Sequence, residues 1–373
     1  MLRNRSRKSI LYGTVVAAVL LASTFFVLIQ FQPGQAFAHF SDYRRHHFPT
    51  PISTIQTTAT PVDSATPTGT GNLQLFVEPA AGEQVILDAI NNAHQSVWLE
   101  MYLLTDKNII QSLEDAAGRH LDVRVMLEPN PFGSGSPQPT LDALKAAGVS
   151  TEFTNPSFKI THEKGMIIDA NTAFIMTSNF TYSALNGKNR EYGVIDTVPQ
   201  DVKGVLDIFN ADWDRSTVQL SDANLVVSPV NARNDVTTLI SSAQHSLIIE
   251  AEELYDTNIA QAIAADAQRG VQVQVVLPTP QTQPDSNSSG IATIKAAGAQ
   301  VKEDPQLIMH AKMLVVDGKQ AFVGSENFST TSLDSNRELG LLLSDPQIIS
   351  TLQQTFDQDW NVSQSQVDAG YHY

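Results

Sequence analysis

From residue 73 onward the chain alternates between two kinds of apolar spacing. Residues 83–93, 108–117, 235–243 and 258–268 return apolar side chains every three or four positions, as an amphipathic helix does. Residues 97–103, 123–127, 166–168 and 174–176 are short β-branched or apolar runs, as are 247–251, 271–277, 313–316 and 321–323. These read as strands. Strands interleaved with helices predict an α/β layer structure with a largely parallel or mixed sheet. Gly148 and Gly298 stand where a helix should stop, a position that favours a left-handed residue.

The pattern is written twice. Ala93-His94-Gln95-Ser96-Val97-Trp98-Leu99-Glu100 matches Ala243-Gln244-His245-Ser246-Leu247-Ile248-Ile249-Glu250. Leu144-Lys145-Ala146-Ala147-Gly148 matches Ile294-Lys295-Ala296-Ala297-Gly298, and Phe209-Asn210-Ala211-Asp212-Trp213 matches Phe356-Asp357-Gln358-Asp359-Trp360. The offsets are 150, 150 and 147 residues, too long for a solenoid repeat. Two homologous α/β half-domains, 72–220 and 221–373, are predicted, packed about a pseudo-twofold axis as a monomer. Trp213 and Trp360 read as core residues closing each half.

Ahead of the repeats the pattern changes. Arg3, Arg5, Arg7 and Lys8 precede an uncharged apolar run over residues 10–31. About 20 such residues span a bilayer as a helix, whereas the apolar part of a signal peptide is usually about 7–15. Ala36-Phe37-Ala38 nevertheless offers a small-x-small cleavage site. Residues 1–38 are therefore a transmembrane signal anchor or a cleaved signal peptide. With the basic residues inside, everything after residue 38 lies outside the cytoplasm on either reading. Residues 39–71, rich in Pro, Thr and Ser, read as a disordered linker, and the adjacent His46 and His47 as solvated.

Composition narrows the chemistry. The absence of Cys excludes disulfides, thiolate metal sites and a cysteine nucleophile. Net charge is −16 over 373 residues and −20 beyond residue 72, which argues against a dedicated nucleic-acid binder.

The candidate chemistry sits at matched places. His162-Glu163-Lys164, Asp169 and Met176-Thr177-Ser178-Asn179 in the first half face His310-Ala311-Lys312, Asp317 and Gly324-Ser325-Glu326-Asn327 in the second. His-to-Asp spacing is seven and His-to-Asn spacing 17 in both. Each triplet opens a predicted strand, whose alternation turns His and Lys to one face. A pseudo-twofold pairing would bring two imidazoles and two ammonium groups around one cleft. That set suits phosphodiester cleavage: one His attacks phosphorus, the other protonates the leaving oxygen, and Lys164 and Lys312 neutralise nonbridging oxygens. Asn179, Asn327, Thr177 and Ser325 are candidate neutral donors to phosphate. Glu191 and Glu338, in Asn-Arg-Glu triplets after each motif, are candidates to orient the imidazoles. Asp169 and Asp317 are expected to hold the loops that end their strands. No metal and no cofactor is called for.

The pattern His-x-Lys-x4-Asp-x6-Gly-Ser-x-Asn, present twice, resembles the phospholipase D superfamily, the HKD phosphodiesterases. The resemblance covers everything after the linker. The second copy matches at every fixed position; the first has Met176 and Thr177 in place of Gly and Ser, and Met176 is expected to narrow the cleft. The resemblance implies a phosphohistidine intermediate, His162 as nucleophile and His310 as general acid. Phospholipid hydrolysis at a membrane is the first reading. A tethered or secreted nuclease and a cardiolipin synthase-type phosphatidyltransferase are the alternatives. The single apolar run differs from the pair of anchoring helices usual in those synthases.

Overall fold

A computed structural model describes residues 72–280 and 284–365. The predicted anchor and linker lie outside the described residues, as do His46, His47 and His372. Among the described residues no helix is long and apolar enough to cross a membrane.

The second half repeats the elements of the first and adds two short strands, Ile308–Met309 and Gln364–Ser365. The first comprises β1 (Leu73–Glu78), α1 (Gln84–Asn91), β2 (Ser96–Met101), α2 (Lys107–Gly118), β3 (Asp122–Leu127), α3 (Gln138–Ala146), β4 (Ser150–Phe153), β5 (Lys164–Ile168), β6 (Thr172–Met176), α4 (Tyr182–Leu185), β7 (Asn189–Asp196) and α5 (Pro199–Trp213). The second comprises β8 (Leu225–Ser228), α6 (Ala232–Ser241), β9 (Ser246–Ala251), α7 (Thr257–Gln268), β10 (Gln272–Pro278), α8 (Ser288–Ala296), β11 (Gln300–Asp304), β12 (Ile308–Met309), β13 (Lys312–Val316), β14 (Gln320–Gly324), α9 (Thr330–Asp334), β15 (Glu338–Leu343), α10 (Pro346–Val362) and β16 (Gln364–Ser365). Local chemistry sets several boundaries. Asp106 and Asp256 cap α2 and α7 by accepting the second and third helical N–H groups, a contact that is the usual stabiliser of a helix start.

The sheets are mixed, in the orders β1-β7-β6-β5-β2-β3-β4 and β16-β11-β10-β9-β13-β14-β15-β8. The second reads as the first with β16 added beside β11. In each, the strands joined by crossover helices are parallel (β2-β3-β4 and β9-β10-β11), and the hairpin strands are antiparallel.

Three apolar layers follow. The first half's helices cover one face of its sheet through Ile86, Ile109, Leu113 and Leu144. The second half's do likewise through Val236, Ile259, Ile263 and Ile294. The remaining faces share one core built from both halves, with Ile175, Val194, Ile208 and Phe209 beside Met313, Val323, Leu341 and Phe356. The halves are therefore parts of one compact unit. Trp213 and Trp360 are partly buried against that shared core, stacked on Phe209 and Phe356 with ring centroids 5.9 and 5.7 Å apart.

Backbone pairing crosses between the halves. β12 pairs in parallel with β7, and Thr161 bridges Arg337 at the equivalent point. The segment leading into each His-x-Lys triplet is thus held by the Asn-Arg-Glu strand of the other half.

Candidate active site

The two histidines stand just before β5 and β13, which begin at Lys164 and Lys312. The expectation that each His opens the strand is corrected: the segments there are tied to the opposite half. His162 N–H donates to Arg337 O at 2.8 Å and His310 N–H to Arg190 O at 3.3 Å. Each lysine folds back onto its own histidine's carbonyl, Lys164 Nζ to His162 O at 2.5 Å and Lys312 Nζ to His310 O at 2.7 Å.

Side-chain contacts cross in the same way. His162 Nδ1 lies 3.0 Å from Glu338 Oε2, and His310 Nδ1 lies 2.9 Å from the Glu191 carboxylate. The carboxylate on each imidazole therefore belongs to the other half. Both carboxylates are fully buried, and Asn189 and Asn336 each donate to one at 3.0 Å. Burial alone would push these carboxyls up. His310 and then Lys312 outweigh it at Glu191, and His162 and Lys164 do so at Glu338, so both are held below the usual carboxylate range.

The two couples share one electrostatic site, for Lys312 acts on both His162 and Lys164. Burial, opposed by Glu338 and reinforced by Lys164, lowers His162 below the ordinary imidazole value. Burial also drives Lys164 down to about 7, with Glu338 resisting and Lys312 adding to the fall. The site can thus offer a neutral, oriented imidazole beside two clustered lysines.

Thr177 and Ser325 lie elsewhere than expected. Both are fully buried. Thr177 Oγ1 donates to Glu191 at 2.7 Å and accepts the Tyr192 N–H; Ser325 Oγ accepts the Leu339 N–H at 3.0 Å. These hydroxyls brace the strands that carry the orienting carboxylates rather than facing a phosphate. Met176 is also corrected: its side chain packs in the first half's outer core, away from the cleft. Gly324 has no such room, because a Cβ there would stand 2.4 Å from Glu326 Oε2. The first half has Ser178 in place of Glu326, and space for methionine. Asn179 and Asn327 close the motifs immediately after β6 and β14. Asp169 accepts backbone N–H groups from His94, Gln95 and Ser96, and Asp317 accepts them from Gln244, His245 and Ser246. Each aspartate thereby ties the end of its strand to the start of β2 or β9.

Sequence reasoning missed three features. Arg190 pairs with Asp359 (Nε to Oδ2, 2.6 Å) and Arg337 with Asp212 (2.7 Å), again across the halves and buried. The matched Phe-x-x-Asp-Trp blocks carried that signal. Glu252 and Tyr102, at equivalent points after β9 and β2, enter the site from outside any motif. Glu100, Glu163 and Asp212 form a buried group whose carboxylate oxygens lie within 4.8 Å of one another. Arg337 stands against Asp212; burial and then Asp212 push Glu163 up to about 8, and burial raises Glu100 well above its usual range. An arginine and retained protons neutralise this group from within.

Comparison with known proteins follows the same lines. The family profile described as "Cardiolipin synthase, PLD-like domain" matches residues 86–213 and 236–360. Cardiolipin synthase of Clostridium perfringens (strain 13 / Type A) is 23% identical over 351 residues, covering 80% of this chain and 72% of that protein. Cardiolipin synthase of Oceanobacillus iheyensis is 24% identical over 342 residues, covering 80% and 70%. Phosphatidylserine synthase of Haemophilus influenzae Rd KW20 shares the fold, with a TM-score of 0.60 at 13% identity over 79% of this chain and 87% of that one.

Proposed function

The chain belongs to the phospholipase D-like family, and on that premise we propose that it is a phosphatidyltransferase acting on membrane phospholipids, passing the phosphatidyl group to an alcohol acceptor through a phosphohistidine. One observation carries the reading. Each imidazole of the two His–Lys couples is held by a fully buried carboxylate of the opposite half.

His162 Nε2 attacks phosphorus, forming an N–P bond as the P–O bond to the headgroup breaks, and His310 gives its proton to the departing oxygen. An acceptor hydroxyl then loses its proton to His310 while its oxygen bonds phosphorus and releases His162. Glu338 fixes the tautomer that leaves Nε2 as the attacking atom. Lys164, Lys312, Asn179 and Asn327 meet the nonbridging oxygens as charge builds. This chemistry asks for no metal. Hydrolysis to phosphatidic acid, the first expectation from sequence, differs only in the acceptor. The cardiolipin synthase relatives favour transfer, and the net charge of −16 disfavours a nucleic-acid substrate. The basic-then-apolar segment of residues 1–38 supports an envelope location, tethered or released.

The test is the full chain in detergent micelles with phosphatidylglycerol, with phosphatidylcholine, and with DNA, chelator present throughout. Cardiolipin with free glycerol is the expected product. Phosphatidic acid alone would replace transfer by hydrolysis, and DNA cleavage without lipid turnover would overturn the lipid reading.

A further inference from the structure

The pseudo-twofold axis makes the two histidines near-equivalents, and one position breaks the equivalence. Tyr102 N–H donates to Glu163 O at 3.0 Å and Glu252 N–H to Ala311 O at 2.9 Å, so the residues following β2 and β9 occupy matching places. Their side chains differ in kind. Glu252 Oε2 lies 2.7 Å from Lys312 Nζ and 3.3 Å from His310 Nε2. Tyr102 instead sets its ring edge-on to His162, centroids 4.6 Å apart, with Lys164 Nζ 5.1 Å from the ring centre.

His310 therefore has carboxylates at both ring nitrogens, Glu191 from β7 and Glu252 after β9, with Lys312 of β13 alongside. Glu191 is hydrogen-bonded at Nδ1, and Glu252 stands within ion-pair distance of Nε2, the nitrogen that faces the leaving oxygen as its proton donor. His162 has Glu338 of β15 at Nδ1, Lys164 of β5 and Tyr102 beside it, and among the described residues no carboxylate contacts its Nε2. Burial would raise Glu252, yet His310 and Lys312 outweigh it and hold the carboxyl far below its usual range, so it stays an anion.

We propose that Glu252 is the positioning residue that divides the labour between the two histidines, keeping His310 as the proton donor to the leaving oxygen and leaving His162 as the nucleophile. This rests on the phosphodiester-transfer reading above. Glu252 acts through His310, so its importance depends on how much the leaving group needs a proton.

The experiment uses the full chain, wild type and Glu252→Gln, with two lipids sharing one phosphatidyl group. Phosphatidylglycerol has an alkoxide leaving group that needs protonation, whereas phosphatidyl-p-nitrophenol releases a phenolate that does not. Glu252→Gln should lower kcat/KM on phosphatidylglycerol, which reports the headgroup-releasing step, about 10–100-fold, within what a general acid contributes, and change kcat/KM on the p-nitrophenyl ester less than about threefold. His310→Ala should show the same split in kcat/KM while losing kcat on both lipids, because the acceptor hydroxyl then has no base, and Glu252→Asp should recover part of the loss. Equal loss on both lipids would reduce Glu252 to a structural role, and a gain on both would make it a block in the phosphate site; either overturns the assignment while leaving phosphatidyl transfer standing. A wild type that turns over neither lipid would overturn both proposals.

Discussion

Lys164 shows most plainly how single residues are set against their surroundings. Its ammonium is almost wholly buried, and desolvation with Lys312 nearby brings it down to about 7 from an ordinary 10.5. Two outcomes follow. kcat/KM should fall above about pH 7 as free enzyme loses this charge, with an acid limb below the ordinary imidazole value because His162 must be neutral; the kcat limb should lie higher, since bound phosphate favours the ammonium. Initial rates across pH check this. Between about 7 and 10.5 the unfolded chain holds a proton that native Lys164 has released, so this group makes stability rise with pH in that window. Lys164→Met should therefore raise the urea midpoint at pH 6, remove that slope and abolish turnover. The identity of this lysine was legible in its motif. Its burial was not, because strand alternation tells which face a side chain takes and says nothing of what covers that face.

At the scale of elements, β7 and β15 matter most, since each carries the carboxylate for the histidine of the opposite half. The sequence placed Glu191 and Glu338 near the chemistry through their Asn-Arg-Glu triplets but could not pair them. The crossing separates their substitutions. Glu338→Gln should disable the nucleophile and lower kcat/KM for poor and good leaving groups alike, whereas Glu191→Gln should lower kcat/KM selectively for the poor leaving group. Kinetics on the two phosphatidyl substrates distinguish these outcomes. A loss of about 10²-fold or more is expected in the affected reaction, the scale of a misheld catalytic base or acid. Periodicity made α1, α2, α6 and α7 legible, while α5 and α10 were seen only through the Phe-x-x-Asp-Trp blocks near their ends. β7 and β15 escaped because buried charged groups and a glycine break their apolar runs, Arg190, Glu191 and Gly193 in one and Glu338 and Gly340 in the other, whereas the equally covered β5 and β13 keep theirs.

The whole molecule behaves as one unit because its central core and its buried ion pairs are shared between halves. Removing one member of such a pair leaves a buried charge, so Arg190→Met or Asp359→Asn should cost about 3–5 kcal/mol in urea unfolding. Both variants should still unfold in a single transition, with fluorescence of Trp98 and of Trp360, each as the sole tryptophan, falling together. Probes that separate would show halves that fold alone. By itself the sequence determined the α/β class, the duplication, the two His-x-Lys sites and the exclusion of thiol chemistry, since these rest on local periodicity, residue type and spacing. Only the tertiary structure decided which carboxylate serves which imidazole, that Thr177 and Ser325 brace strands, and that Glu252 stands against His310. Those contacts join residues such as His162 and Glu338, 176 positions apart, and packing between two faces leaves no periodic trace along the chain.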